Sequence, residues 1–255
     1  MRLALWQGQG VEGDLAGTVA EAWRVAGEAR RAGAGLLVFP EGFLTGYHVP
    51  GLAAAGLAGV EDALREIGAA AREAGLGIVM GTHLAEGEVL RNAAVAFGPD
   101  GAELGRYAKR ALFGGWEKET FAPGRGSLRF DCGGLRVGVL ICYDVEFPEL
   151  VRAEARAGAD LVAVPTACMT PYEHIPLQMV PVRAMENQVF LGYANRCHSE
   201  AHLTFTGRSS ICGPDGEVLC SAGEDPALLV ADLDAARITE ARGEFCYLDD
   251  LAGLS

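Results

Sequence analysis

Apolar residues recur along the chain in two alternating patterns, one typical of strands and one typical of helices. Continuous apolar runs of strand length occupy 2–7 and 35–41, and such runs indicate buried strands when turn residues bound them. Between them, the apolar side chains of 15–33 follow helical spacing, with Asp14 as the predicted N-cap and Gly33 as the predicted stop. This alternation predicts an α/β fold.

The same alternation continues along the rest of the chain. Residues 60–74 form a predicted Ala-rich helix, and 77–84 form a further predicted strand. In the second half, the pattern predicts strands at 135–142, 161–167 and 190–196, and helices at 148–157 and 176–188. The two halves therefore follow one plan.

Two pairs of similar segments indicate an internal duplication. The sequence ARRAGAGLLVFPEG at 29–42 is similar to EARAGADLVAVPTA at 154–167. Further along, 96–104 is similar to 211–219, and Pro-Asp-Gly forms a predicted turn between two strands in each. Convergence on common turn sequences is the alternative, but two matches in the same order favour duplication. We expect two α/β halves that pack sheet against sheet with helices outside.

Composition limits the class of protein. Half of the 255 residues are apolar, enough for a substantial core, and no linker rich in serine and proline divides 1–255, so we expect a single domain. The apolar stretches are shorter than the roughly 20 residues that a membrane span needs, and no signal peptide is visible. We therefore expect a cytoplasmic protein with no membrane partner.

Charge and cysteine usage argue against a nucleic-acid-binding protein and against a disulfide-bonded or zinc-binding one. The formal net charge is −13 and no basic run offsets it locally, which argues against a nucleic-acid partner because phosphates would be repelled. The seven cysteines are scattered and contain no C-x-x-C pair, a usage that indicates reduced thiols rather than a disulfide framework or a zinc site. The ordinary interpretation of any single one is a small buried apolar residue.

The segment GQGVEG at 8–13 fits the dinucleotide-binding pattern G-x-G-x-x-G between a strand and a helix. However, Gly13 precedes the predicted cap Asp14, an anion there would face Glu12 and Asp14, and the next strand's acid, Glu41, comes later than a ribose contact requires. A loop is the favoured interpretation, and a hydride-transfer enzyme remains the rival one.

The segment HSEAH at 198–202 spaces two histidines as a helical metal site would. It follows a predicted strand and precedes the β-like run LTFTG. A polar loop is therefore favoured over a helix, and the sequence offers no evident third ligand. We predict no metal site.

Three polar residues end or follow apolar strands, namely Glu41, Lys109 and Cys142. Taken singly, each has an ordinary explanation: Glu41 could cap the following segment, Lys109 could be a solvated charge, and Cys142 could be a core residue. In open α/β architectures, however, ligands bind at the carboxyl ends of strands. Together the three side chains supply a base, a positive charge and a thiol, which is what acyl transfer by a cysteine requires.

The residues after Cys142 favour a nucleophile rather than a packing cysteine. Pro148 opens a predicted helix at a position where its missing N–H costs nothing. The positive end of this helix would face the Cys142 turn. Lys109 and the backbone N–H of Tyr143 are candidate donors to the oxyanion of a tetrahedral intermediate.

Three segments, PEGFLTGY, YAKRALFGGWEKETFAPG and VLICYDVEFPE, resemble the signature segments of the nitrilase (carbon–nitrogen hydrolase) superfamily, in the correct order. VRAMENQVFLGYANR resembles a later helix–strand segment of that family, so the resemblance covers most of the chain. It implies a four-layer α-β-β-α sandwich with internal pseudo-twofold symmetry. It also implies a homodimer or a higher homo-oligomer.

The resemblance assigns roles residue by residue. It implies Glu41 as general base, Lys109 as transition-state stabiliser, Cys142 as nucleophile and Glu117 as a second glutamate that helps to position substrate or water. Many members carry histidine two residues after the lysine, whereas Ala111 stands here. The implied mechanism passes through a thioester and needs no metal or cofactor.

The residues near Cys142 also bear on the small-molecule substrate. The Cys-Tyr-Asp sequence resembles amidases and carbamoylases, whereas true nitrilases usually have Trp after the cysteine, so nitrile hydrolysis is the second choice. Carbamoylases that act on amino acids, and ω-amidases, often have arginine shortly after the cysteine, suited to binding a carboxylate, whereas the nearby position here is Glu146. If Glu146 faces the pocket, a neutral or amine-bearing amide is preferred; the alternative is that Glu146 only caps the next helix.

Three further side chains are candidate pocket residues: Thr166, Trp116 and Tyr47. Thr166 lies after the strand that duplicates the Glu41 strand, whereas the aromatic residues could equally serve packing. A catalytically silent binding protein is the non-enzyme alternative. It predicts a lost catalytic residue, and all four are present.

Overall fold

The computed structural model describes residues 1–254 and contains two six-stranded sheets, each paired with helices. The elements of the first half are β1 (Arg2–Gln7), α1 (Leu15–Arg31), β2 (Leu36–Val38), α2 (Val60–Ala74), β3 (Gly77–Glu86), β4 (Val89–Phe97), β5 (Glu103–Ala108) and α3 (Gly114–Thr120). A 3₁₀ turn at Ala54–Leu57 precedes α2.

The second half begins with β6 (Leu128–Cys132) and β7 (Leu135–Val139), which a 3₁₀ turn at Cys142–Glu146 follows. The other elements are α4 (Pro148–Arg156), β8 (Leu161–Thr166), α5 (Val180–Asn187), β9 (Phe190–Asn195), β10 (Cys197–Glu200), β11 (Leu203–Thr206), β12 (Ser210–Cys212), β13 (Val218–Ser221), β14 (Ala227–Asp232), α6 (Ala236–Glu244) and α7 (Tyr247–Gly253).

The two sheets have the same topology, which confirms the internal symmetry expected from the sequence. The first sheet has the order β14-β1-β2-β3-β4-β5 and the second has β6-β7-β8-β9-β12-β13. In each, three consecutive parallel strands are followed by two antiparallel strands, and one antiparallel strand closes the other edge. The two Pro-Asp-Gly turns occupy equivalent positions, between β4 and β5 and between β12 and β13.

Alternation along the strands divides the core into two parts and produces the layers. Leu3 and Val38 of the first sheet share a cluster with Val137 and Leu161 of the second, so these faces meet in the centre. Alternate residues, such as Leu37, pack instead against α1 and α2. Helices α4 and α5 cover the outer face of the second sheet. The result is the predicted four-layer α-β-β-α sandwich.

The first loop forms as the sequence predicts. Residues 8–13 are irregular, and helix α1 begins directly after Asp14. The Asp14 side chain accepts a hydrogen bond from the Gly17 N–H at 2.9 Å, which satisfies one of the unpaired donors of the first turn. Gly13 therefore lies outside the helix, as the loop interpretation requires.

Three predicted elements differ from the observed ones. The strand predicted at 35–41 covers only 36–38, and the strand predicted at 135–142 ends at Val139, so Cys142 lies in the following turn. The helix predicted at 176–188 opens with a π-helical turn at Ile175–Met179 before α5. Pro181, near the start of α5, has no N–H to donate, so the regular pattern of α-helical hydrogen bonds is interrupted there.

The interpretation of 198–202 as a polar loop was wrong in its local structure. Cys197–Glu200 and Leu203–Thr206 pair as an antiparallel hairpin with a turn at 201–202. Glu200 is buried, whereas His198 and His202, the two histidines of the segment, are exposed. Within residues 1–254, no group of three or more potential ligands can hold a metal ion.

No helix within the described part of the chain is both long and apolar enough to cross a membrane.

Candidate active site

Three of the predicted residues meet where strands of the first sheet end. Lys109 directly follows β5, and its Nζ donates to Oε1 of Glu41 and to Oε1 of Glu117, each at 2.7 Å. All three side chains are shielded from solvent. Glu41 lies beyond the end of β2, and Glu117 lies in α3. The fold thus brings together residues that are up to 76 positions apart in the sequence, the separation of Glu41 and Glu117.

Cys142 belongs to the second sheet and lies in the turn beyond β7. Its backbone has φ +44°, a left-handed conformation that is uncommon for residues other than glycine. Such strain clusters at functional sites because it fixes a side chain in a direction that regular structure would not allow. The side chain is partly buried.

The Cys142 thiol is electrostatically coupled to the other site residues. Burial raises its pKa well above the ordinary value, and the negative charge of Glu41 raises it further. The Lys109 charge and the backbone N–H of Ala167 act in the opposite direction but do not outweigh burial. The resting residue is therefore a thiol, and it needs a base before it can attack.

The two buried carboxylates differ in how many hydrogen bonds they accept. Oε1 of Glu117 accepts from Lys109 Nζ and from the Tyr47 hydroxyl at 2.8 Å, and its Oε2 accepts from the Phe113 N–H at 2.7 Å. Oε1 of Glu41 also accepts two bonds, but its Oε2 is buried with no partner among residues 1–254. Glu41 therefore has one oxygen that accepts no hydrogen bond from the described residues, whereas both oxygens of Glu117 accept at least one.

Burial also sets the protonation of the Glu41–Lys109 pair. Burial raises the pKa of Glu41, and the nearby Glu117 adds to this, while Lys109 opposes it. Burial alone would lower the pKa of Lys109, but the charges of Glu41 and Glu117 outweigh it and raise that pKa. Lys109 thus stays a cation, and Glu41 is a stronger base than an exposed carboxylate.

Asn92 is a site residue that the sequence analysis missed. It lies in β4, and its Nδ2 donates to Oε1 of Glu41 at 2.7 Å. Its backbone carbonyl accepts the backbone N–H of Lys109 at 2.8 Å, so Asn92 positions both members of the ion pair. The available signal was a buried amide within the otherwise apolar run VLRNAAVAF, since a buried polar group needs partners.

Asp144 was also missed, and it joins the Lys109 segment to the Cys142 turn. Its Oδ1 accepts from the Ala111 N–H at 2.7 Å, and its Oδ2 accepts from the Ile141 N–H at 3.0 Å and from the Tyr107 hydroxyl at 2.8 Å. The backbone of Ala111 is therefore held by Asp144, even though its methyl group replaces the histidine expected from the family resemblance.

A histidine does not take the place of the glutamate base. His83 is buried on β3 opposite Asn92. Burial lowers its pKa to about 3, and the charges of Arg196 and Lys109 act in the same direction. A neutral imidazole with so low a pKa is a weak proton acceptor, which leaves Glu41 as the base that the geometry favours.

The predicted pocket residues occupy different environments. Tyr47 is buried and contacts Glu117, and its ring centroid lies 5.8 Å from that of the partly buried Trp116. Thr166 is fully buried, and its hydroxyl donates to the Val164 carbonyl at 3.0 Å. Tyr143 is the second residue of the 3₁₀ turn, and its ring packs against Phe113 at 5.3 Å.

Glu146 is half-buried at the end of the same turn. Burial raises the pKa of its carboxyl group, while the charges of His174, Lys109 and Arg183 lower it. Its charge in turn raises the pKa values of Cys168 and Tyr193, after the larger effect of burial. Glu146 therefore contributes to the electrostatic field on the Cys142 side of the site.

The sequence matches the carbon–nitrogen hydrolase family over residues 2–243. A hydrolase from the pqqF 5′ region of Pseudomonas protegens is 40% identical, over 98% of this chain and 88% of the relative. A nitrilase from Pyrococcus abyssi is 38% identical (84% and 82%). An (R)-stereoselective amidase from a Pseudomonas species is 35% identical (84% and 78%).

A solved relative has the same architecture. An amidase of the nitrilase superfamily from Nesterenkonia AN1 superposes with a TM-score of 0.85 at 37% identity, over 96% of this chain and 95% of that chain. In another structure of the Nesterenkonia amidase, acrylamide has added to the active-site cysteine. The chain described here belongs to the carbon–nitrogen hydrolase family and is a hydrolase that acts on carbon–nitrogen bonds.

Proposed function

We propose that this protein is a cysteine-dependent amidase that hydrolyses a linear carboxamide to a carboxylic acid and ammonia. The observation that carries the proposal is the unpartnered Oε2 of the buried Glu41, beside a lysine cation and a thiol that needs a base. The amidases among the relatives and solved structures support the choice of an amide.

In the first half-reaction, Glu41 Oε2 takes the proton of the Cys142 thiol, and the sulfur attacks the amide carbon. The tetrahedral intermediate collapses when the carbon–nitrogen bond breaks and Glu41 returns its proton to the leaving nitrogen. One amide and one thiol thus give one thioester and one ammonia. A raised pKa suits a group that must both accept and return a proton.

In the second half-reaction, the same carboxylate takes a proton from water, and the resulting hydroxide attacks the thioester carbon. The carbon–sulfur bond breaks, the carboxylic acid leaves, and the proton held by Glu41 restores the Cys142 thiol. The proton balance closes without a second base. No metal or cofactor takes part in this sequence.

Lys109 and the Tyr143 N–H stabilise the oxyanion of both tetrahedral intermediates in this proposal. The buried Lys109 cation has no water to reorganise as charge develops, which makes its stabilisation effective. The Tyr143 N–H lies in the first turn of a 3₁₀ helix, where amide donors have no acceptor within the helix. Glu117, whose two oxygens both accept hydrogen bonds, positions Lys109 rather than moving a proton in this proposal.

Glu146 favours a neutral or amine-bearing amide over an anionic one. Its half-buried carboxylate shares the electrostatic surroundings of Lys109 and Cys168, so a second carboxylate bound nearby would be repelled. Tyr47, Trp116 and Thr166 remain the proposed wall residues of the acyl pocket.

An N-carbamoyl hydrolase or a nitrilase is the alternative within the same chemistry, and the Pyrococcus abyssi relative favours the nitrile. The same cysteine, lysine and glutamate would serve either substrate. A catalytically silent binding protein is the remote alternative, and the complete Glu41–Lys109–Cys142 set argues against it.

The test measures ammonia release from matched carboxamides, nitriles and N-carbamoyl compounds, with Cys142→Ala protein as the blank. We expect release from amides that the variant abolishes, with an amino-acid amide hydrolysed faster than a dicarboxylate ω-amide. Release only from nitriles, or only from carbamoyl compounds, would keep the chemistry but change the proposed substrate to that class of compound. Full turnover by Cys142→Ala would contradict the mechanism.

A further inference from the structure

Two residues of the site lie at the two ends of one loop, residues 41–48. Glu41 opens the loop and Tyr47 lies near its end, and each contacts the Lys109–Glu117 pair. The loop folds back tightly at Gly42, where φ is +59° and a Cβ atom would lie 2.6 Å from the Gly46 carbonyl oxygen. Neither end belongs to a helix or strand, so the loop needs other contacts to stay in place.

The first end is held by Arg196, which directly follows β9 and is among the largest fully buried side chains. Its Nη1 donates to the carbonyl oxygens of Glu41 and Gly42, at 3.3 and 3.1 Å. The backbone N–H groups of Arg196 and Glu41 also share one acceptor, the Thr166 carbonyl, at 3.2 and 3.3 Å. The guanidinium thus binds the main chain of Glu41 and leaves its carboxylate to Lys109 and Asn92.

The second end is held by Glu200, the buried residue of the segment HSEAH. Its Oε1 accepts the N–H groups of Tyr47 and His48, at 2.8 and 2.6 Å. Its Oε2 accepts a hydrogen bond from Arg196 Nη2. A single buried ion pair therefore connects both ends of the loop.

We propose that Arg196 and Glu200 form a positioning clamp that fixes Glu41 and Tyr47 in their working places. This proposal rests on the proposed function, because it assigns the two residues to the Glu41 base. The clamp explains why a chain would keep a guanidinium in its interior: the planar fork reaches two carbonyls and a carboxylate at once. A lysine ammonium in this place cannot span that arrangement.

The chemistry of the pair makes it intolerant of losing one partner. Removing the carboxylate would leave a buried cation without its counter-charge, and the two loop amides without their acceptor. Phe205 packs against both the clamp and the loop, with its ring centroid 5.1 Å from the Arg196 guanidinium carbon and 5.8 Å from the Tyr47 ring centroid. The clamp, the hairpin and the loop therefore form one packed unit.

Glu200→Gln is the sharpest test because the side chain keeps its size and one oxygen acceptor but loses its charge. We expect kcat to fall about 10- to 100-fold with KM changed far less, since small displacements of catalytic groups cost about this much. We also expect slower alkylation of Cys142 by iodoacetamide, a reaction that reports on the base without requiring hydrolysis of an amide bond. Arg196→Lys should give the same pattern.

Glu224→Gln is the matched control, because it removes the carboxylate of an exposed pair with Arg208 at 2.7 Å. Its kcat and alkylation rate should equal those of the wild type. Unchanged kcat and alkylation in folded Glu200→Gln would overturn the clamp, and so would failure of Glu200→Gln and Glu200→Asp to fold. Normal alkylation of wild-type protein without amide turnover would instead contradict the proposed function.

Discussion

At the scale of single residues, the site is defined by an unequal pair of carboxylates. Glu117 accepts three hydrogen bonds, whereas Oε2 of Glu41 accepts none from the described residues. A buried oxygen without a donor is costly unless its function requires it to be free. The asymmetry assigns proton transfer to Glu41 and positioning to Glu117 in the proposed mechanism.

Substitution of each glutamate by glutamine separates these roles. Glu41→Gln should lower kcat/KM by about 10²- to 10⁴-fold, the contribution typical of a general base, and should also suppress Cys142 alkylation. Glu117→Gln should lower kcat while alkylation of Cys142 continues, because the base remains. Equal loss of alkylation in both variants would contradict the assignment.

The raised pKa of Glu41 predicts where activity is lost in acid. In the proposed mechanism Glu41 acts in its deprotonated form, and burial raises its pKa above the ordinary value of 4.5. Activity should therefore fall as pH decreases through a pKa above 4.5. The pH profile of kcat/KM checks this, with Cys142 alkylation as a second probe; a flat profile down to pH 4.5 in protein that stays folded would contradict it.

The sequence predicts Glu41, Lys109 and Glu117 as site residues, and the structure brings both glutamates within hydrogen-bonding distance of Lys109. Sequence reasoning missed Asn92, and it also missed Asp144, Arg196 and Glu200. The missed residues act through backbone groups or through a partner distant in sequence, so no local spacing reveals them. A buried polar residue inside or directly after an apolar strand was the only available signal.

At the scale of elements, Asp144 connects the end of β5 to the turn after β7. Its carboxylate accepts from backbone groups of both segments, including the Ala111 and Ile141 N–H groups. Lys109 and Cys142 come from different sheets, so this connection fixes their separation. Both residues lie just beyond the end of a strand, so the Asp144 carboxylate adds a connection between the two segments that neither strand provides.

Asp144→Asn tests that connection. Its amide has one oxygen, so one of the backbone donors loses its acceptor, and we expect a loss of about 1–3 kcal/mol in the free energy of unfolding together with reduced kcat. Urea denaturation and steady-state kinetics measure the two effects. Tyr107→Phe, which removes only the hydroxyl that contacts Asp144, is the milder control. An Asp144→Asn protein with wild-type stability and kcat would contradict this account.

Helix α1 provides a prediction about stability alone. Asp14→Ala removes the N-cap acceptor of the Gly17 N–H and should cost about 1 kcal/mol in the free energy of unfolding, with kcat unchanged. Asp14→Asn keeps an acceptor and should lie much closer to the wild type. Chemical denaturation monitored by circular dichroism provides the values; equal stability of the alanine and asparagine variants would rule out the capping role.

Elements with strong periodicity were predicted with accuracy, and irregular ones were not. The helix predicted at 60–74 has these bounds in the structure, because its apolar face and its Gly75 terminus are both local signals. The π-helical turn before α5 and the hairpin at 197–206 depend on proline geometry and on tertiary pairing. Neither leaves a periodic trace in the sequence.

At the scale of the whole molecule, the proposed active site lies between the two repeats. When the similar segments 29–42 and 154–167 are aligned, Glu41 corresponds to Thr166. In the structure, the Glu41 N–H donates a hydrogen bond to the Thr166 carbonyl at 3.3 Å. Equivalent positions of the two halves thus meet directly. One half supplies the glutamates and the lysine, and the other supplies the cysteine, so neither half alone contains the complete set.

Several whole-molecule expectations remain predictions: the single domain over 1–255, the cytoplasmic location and the homo-oligomer implied by the family. The oligomer can be checked by sedimentation velocity, which should show a dimer or a larger species. A monomer across the working concentration range would contradict that expectation without affecting the chemistry of the site.

In the proposed mechanism, Cys142 carries the acyl group as a thioester. Rapid acid quench during amide turnover, followed by mass spectrometry of the peptide that contains Cys142, tests it directly. We expect an added mass equal to the acyl group of the amide, present on Cys142 and absent from Cys142→Ala protein. Steady ammonia release with Cys142 never acylated, and undiminished in Cys142→Ala, would contradict it.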